Sequence, residues 1–167
     1  MDNSFIIVST ILVSSVFVPF FLFNALGKKD EKKRKALYKA TIAKYNLNIE
    51  QQEIWGNRFI GIDAKQNKLL FVKILPSGST EQLLDLSPLK GCQVLEKRKV
   101  VKTKHKKDSH LEQMDLELLF KNSAPVILNF YDEEENFGEN FELKRVEKWK
   151  VIVLDSIVRS HTGKAAA

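Results

Sequence analysis

The sequence predicts an α+β chain in which an N-terminal transmembrane helix precedes an antiparallel β-sandwich or partly open barrel with a C-terminal amphipathic helix. Three observations carry this. Residues 5–26 hold no charge and run straight into a lysine-rich segment; from Arg58 to Tyr131 β-rich stretches alternate with short polar turns; and from Leu143 to Ile157 apolar residues recur at three- and four-residue spacing. The corresponding divisions are a transmembrane anchor at 1–27, a juxtamembrane helix or linker at 28–52, a β domain with its capping helix at 53–160 and a flexible tail at 161–167.

The anchor comes first. Its 22 uncharged residues would span roughly 33 Å as a helix, against a hydrocarbon core of about 30 Å. Fifteen of them are Leu, Ile, Phe or Val, each contributing about −0.3 to −0.6 kcal/mol near a helix centre. Pro19 would kink such a helix without forbidding it. A cleaved signal peptide would need a basic start, a shorter apolar core and a small-residue cleavage site, and Met1 to Ser4 followed by this long run offers none of them. After the run come Lys28, Lys29, Lys32, Lys33, Arg34 and Lys35, diluted by Asp30 and Glu31. By the positive-inside tendency the N-terminus would lie outside and the main domain in the cytoplasm, giving a single-pass protein of the inner membrane. The same six cations are candidate contacts for anionic lipid headgroups, and residues 5–26 for the bilayer itself.

About 140 residues remain, enough for one compact domain with its own core. A formal net charge of +6 is moderate, so the placement of charge matters more than its total. The single Cys92 excludes an intramolecular disulfide framework and a multi-cysteine zinc site.

Between Lys32 and Asn46 no Gly or Pro interrupts good helix formers, and Tyr38, Ile42 and Tyr45 make a narrow apolar stripe. The pattern then changes to strands. Residues 58–63 and 68–75 form a hairpin across the polar loop Ala64 to Asn67. A third strand is expected at 81–86 after the turn Pro76 to Ser79, and a fourth from Cys92 to about Val101. Met114, Leu116, Leu118 and Phe120 alternate with more polar neighbours in a fifth, and Val126, Leu128 and Phe130 share one face of a sixth. An acidic loop, Asp132 to Glu135, closes the series. In the last segment Leu143, Val146, Trp149, Val153 and Ile157 favour a helix, although the β-branched run Val151 to Leu154 keeps a strand open.

Six or more antiparallel strands in meander order, capped by a helix with a central Trp149, resemble a pleckstrin-homology-like (PH-like) domain over roughly Glu53 to Arg159. More narrowly the chain is similar to uncharacterised bacterial single-pass membrane proteins with such a domain, the likeness lying in Phe59 to Asp63, Leu69 to Phe71, Leu84 to Ser87 and Glu147 to Trp149. The resemblance implies a fold and little chemistry. Eukaryotic lipid-binding members cradle inositol phosphates near the first hairpin, whereas this loop has Lys65 and Lys68 without an arginine, so a conventional phosphoinositide pocket is not expected.

The strongest charge cluster lies later. Lys97, Arg98, Lys99, Lys102, Lys104, Lys106 and Lys107, with His105, mark a candidate edge for an anion or an acidic protein partner. The competing reading is a solvated hairpin whose lysines discourage strand pairing. Nucleic acid is disfavoured because no aromatic residue interleaves these lysines. No catalytic motif, metal-ligand spacing or cofactor fingerprint is present: Asp132 to Glu135 lacks the spacing of a calcium loop, and Cys92 reads as a small buried hydrophobe. The sequence thus predicts a non-enzymatic binding or scaffolding module without cofactor or metal. Its alternatives are a small subunit of a larger membrane complex and an enzyme whose site is assembled from distant residues.

Overall fold

A computed structural model describes the backbone of residues 3–103, 106–135 and 141–165, and within these the side chains of all but 3–11, 20–29, 101–103, 106–108 and 159–165. The chain divides into two compact units, 1–45 and 46–167.

The first unit is one helix, α1 (Asn3–Lys44), which continues through Pro19. On its charged portion Glu31 and Lys35 pair at 2.6 Å in the favourable i, i+4 order. The helix stops where Tyr45 N–H donates to Thr41 O and Asn46 takes a left-handed φ of 49°, a common way to end a helix without glycine.

Among the described residues no helix is long and apolar enough to cross a membrane. This corrects the expected transmembrane anchor, and with it the single-pass topology and the inner-membrane location. The side chains described on α1 are those of Leu12 to Pro19 and of Asp30 onward. The side chains of 5–11 and 20–26 lie outside the described ones.

The second unit holds two antiparallel sheets and a helix. The first sheet is β1 (Gln51–Trp55), β2 (Arg58–Asp63), β3 (Lys68–Leu75) and β4 (Gly78–Asp85) in that order; the second is β5 (Leu89–Thr103), β6 (Lys106–Phe120) and β7 (Val126–Asp132). Two separate sheets replace the expected partly open barrel. Between them the chain turns sharply at Leu86 to Leu89: Asp85 Oδ1 accepts from Ser87 N–H, Leu89 N–H donates to Leu86 O, and Pro88 has no N–H to offer a ladder. The hairpin expected at 58–63 and 68–75 stands at those residues, whereas β1 was absent from the sequence reading and β4, β5 and β6 begin earlier than expected.

The turns follow from local chemistry. Gly56, at φ 48°, takes the left-handed position of the two-residue β1–β2 connection. Asp63 shapes the next one, its carboxylate accepting from Asn48 N–H at 2.7 Å and Gln66 N–H at 2.9 Å. Mid-strand, Gly61 is required for space: a Cβ there would meet Phe59 Cζ at 2.9 Å and Ile49 Cγ2 at 3.0 Å.

The core of this unit draws alternate residues from both sheets, Ile60 and Ile62, Leu69 and Phe71, Met114, Leu116 and Leu118, Leu128 and Phe130. Trp55 stacks on Phe130 at 4.9 Å and donates its indole N–H to Phe130 O. The last element is α2 (Glu142–Ala165), which settles the Val151 to Leu154 ambiguity as helix and extends to Ala165, where a flexible tail was expected. It buries Val146, Trp149 and Val153 along one stripe. Glu53 of β1 fastens that helix, accepting from Arg145 Nε (2.8 Å), Lys148 Nζ (2.9 Å) and Trp149 Nε1 (3.0 Å).

Candidate functional site

The β5–β6 hairpin outgrows its sheet. Both strands run for 15 residues and stay paired to Thr103 and Lys106, but β7 accompanies β6 only from Gln113 to Leu118. Beyond that point, as a two-stranded ribbon, β5 and β6 have only each other as strand neighbours among the described residues. A register shift at Lys97/Arg98 lies where β7 ends, and such a bulge bends and twists the strands that continue past it.

The candidate cations distribute along this ribbon. Lys97 pairs with Glu112 and Arg98 with Glu96, each at 3.0 Å and exposed, so both pairs are weak. Lys99 stands opposite His110, and the register sets Lys102 opposite Lys107 and Thr103 opposite Lys106. Like charges directly opposite in an antiparallel pair destabilise it, and Asp108, opposite Val101, is the acidic residue next along this ladder. The side chains of Lys102, Lys106 and Lys107, and all of Lys104, lie outside the described residues, as do those of Lys28 and Lys29. On α1, Lys32, Lys33 and Lys35 are exposed and Arg34 half-buried.

At the ribbon's base is an opening with a mixed lining. Leu111, Met114, Phe141 and Leu143, together with the charged Arg98, Glu142 and Lys144, line a cavity of about 230 Å³. Phe141 is 72% exposed and sits at φ 61°, an uncommon and strained backbone for a bulky residue. Its carbonyl starts α2 by accepting from Arg145 N–H, and Lys144 Nζ lies 5.6 Å from its ring centroid.

A second cluster joins the ribbon to the interior. Arg58 and Lys73 are register partners across β2 and β3, and Glu135 bridges them: Arg58 Nη2 donates to Oε2 and Lys73 Nζ to Oε1, both at 2.8 Å. Arg58 is 0% exposed. Three further bonds hold it, Nε on Asn129 O (2.9 Å), Nη1 on Asn57 Oδ1 (2.8 Å) and Nη2 again on Asn129 Oδ1 (2.7 Å). Burial pulls the guanidinium below its ordinary pKa while Glu135 and Asp132 oppose that shift. Burial alone would raise the Glu135 carboxyl, but Lys73 and Arg58 outweigh it and hold the group below the usual carboxylate value. Beyond Asn129, Asp115 is pushed up by burial despite bonds from Asn129 and Gln113.

The acidic loop is thus a local partner of the hairpin as well as of the core. Glu133 N–H extends the ladder to Glu112 O at 2.9 Å, and its carboxylate lies 3.2 Å from His110 Nε2.

Arg58, Lys73 and Glu135 escaped the sequence reading, yet one signal was available. With the turn at 64–67 fixed, the hairpin register sets Arg58 against Lys73, and two opposed cations call for a shared anion. Cys92 offers no nucleophile: burial pushes its thiol up to about 11, and Sγ rests 3.6 Å from Lys150 O. Among the described residues no three His, Cys, Asp or Glu side chains gather in a metal-binding group.

No protein-family model matches the chain, and no curated protein or solved structure matches it.

Proposed function

We propose that unit 46–167 is a non-enzymatic, PH-like binding module that holds an acidic protein partner along the β5–β6 ribbon. The observation that carries this is the ribbon itself, a two-stranded arm that continues past its sheet with Lys97, Arg98, Lys99, Lys102, Lys106 and Lys107 on its strands and two lysines in opposed register. An acidic surface laid against it would compensate those charges and speed encounter. The cavity beside Phe141, where Leu111, Met114 and Leu143 stand among the charged Arg98, Glu142 and Lys144, adds a short-range contact at the ribbon's base that long-range charge alone does not supply. The PH-like reading draws support from the four-plus-three strand order and from the helix that seats Trp149 in the core.

The test places a photo-crosslinking amino acid at Val100, exposed on the ribbon, or at Ile127, exposed on β7, in the full chain within its own cells. The expected result is a discrete protein adduct from Val100 that is missing from Ile127 and lost when Lys97, Arg98 and Lys99 are changed to Gln. No Val100-specific adduct would overturn the reading. Flotation of the chain on anionic vesicles in place of a protein adduct would overturn the choice of partner.

A further inference from the structure

The donors around Glu135 are held in place without it. Asn129 and Asn57 occupy Arg58 at Nε, Nη1 and Nη2, and Lys73 Nζ also donates to Asn129 Oδ1 at 3.0 Å. Both cations stand on adjacent strands of one sheet, whereas Glu135 stands on the turn that follows β7. A rigid pair of donors thus meets an anion borne on a loop, and that loop is bonded at Glu133 to the base of the ribbon.

We infer that Arg58, Lys73 and Asn129 form a carboxylate-binding site whose resident, Glu135, is displaceable, and that an Asp or Glu side chain of the acidic partner takes its place. The inference rests on the partner-binding reading above and names the chemistry the partner presents. A monoanion suits the site. Each carboxylate oxygen receives one cation, and Asp115 and Asp132 already add negative charge nearby, so a phosphate dianion would bring a surplus charge into a poorly solvated position. Because Glu135 is tethered, its effective concentration is of millimolar order, and an isolated carboxylate competes poorly. A partner segment held at the same time by the ribbon does not carry that disadvantage. Its insertion frees the turn from Asp132 to Glu135 and so links occupancy of the interior site to the ribbon.

The first experiment removes the resident. In full-length Glu135→Ala, sodium acetate is expected to raise the melting midpoint by about 3–6 °C at ten times its half-saturating concentration, relative to sodium chloride of equal ionic strength. Wild-type protein responds alike to the two salts. Adding Lys73→Met is expected to weaken the acetate response about tenfold, since it removes one charge-assisted bond. Equal responses of Glu135→Ala to acetate and chloride, or a larger response to phosphate, would overturn the inference. Should that variant fail to fold, Glu135→Gln decides in its place: an acetate-specific shift supports the site and its absence refutes it.

The second experiment keeps the wild-type chain and adds a synthetic oligoglutamate of about ten residues, with oligoserine as control. Faster amide exchange is expected at Glu133 and Glu135, whose N–H groups donate to Glu112 O and Asp132 O, with oligoglutamate alone. Unchanged exchange at both would show that Glu135 is not displaced. A failed acetate or exchange result beside a Val100 adduct sinks the carboxylate site and leaves the binding module standing; loss of the adduct sinks the module.

Discussion

Arg58 and Lys73 face each other across β2 and β3, and the ladder accommodates them because Glu135 gives one carboxylate oxygen to each at 2.8 Å. Without that anion a fully buried guanidinium would stand beside a second cation. Removing one partner of a buried ion pair costs about 3–5 kcal/mol, and here the partial exposure of Glu135 and the neutral bonds from Asn129 and Asn57 lower the figure. Glu135→Gln is therefore expected to cost about 2 kcal/mol in urea unfolding, and Arg58→Met more, because Asn129 O and Asn57 Oδ1 lose their donors as well.

Glu53 plays the corresponding part for α2. Glu53→Gln is expected to cost about 1–2 kcal/mol, mostly through Arg145 and Trp149, since Lys148 is well exposed. Amide exchange should quicken along the Val146 to Val153 stripe and change little in β6. Uniform quickening across both sheets would argue against a local fastening.

The acid limb of stability follows from the same carboxylates. Glu53 and Glu135 both have folded pKa values below the ordinary 4.5, so their stabilisation is full above that pH and is lost as pH falls through the folded values. Asp115 works in reverse: its folded pKa is raised, so its contribution is full below 3.8 and is lost as pH rises through the folded value. Glu135→Gln should flatten the fall of the melting midpoint below about pH 4.5. Asp115→Asn should steepen it.

Gly61→Ala is expected to destabilise by about 1–3 kcal/mol through overpacking against Phe59 and Ile49. Phe59→Leu in the same chain should recover part of that loss, and a double-mutant cycle in denaturant measures the coupling. Strict additivity would contradict the proposed clash.

How much of this the sequence disclosed depends on how local each cause is. The 58–75 hairpin was legible because its turn and both β-rich runs lie within 18 residues, and α2 because its three- and four-residue spacing already placed Val146, Trp149 and Val153 on one stripe. Strand β1 was hidden, since Gln51, Gln52 and Glu53 show no apolar alternation and the strand is recruited as an edge by β2. The lengths of β5 and β6 were hidden by lysines that read as a loop. Glu53 lies 92 residues from Arg145, and Glu135 77 from Arg58, so neither contact leaves a local trace. The anchor was inferred from hydropathy over 5–26, and no helix among the described residues sustains that inference.

Whether the ribbon works through charge is tested most directly by the yield of the Val100 photo-adduct as sodium chloride is raised from about 50 to 300 mM, with Ile127 as the reference position. The Debye length shortens over that range from roughly 14 to 6 Å. A several-fold fall in the Val100 adduct with a flat Ile127 background is the expected result. A Val100 yield that does not change with salt would contradict an acidic partner held by the basic arm.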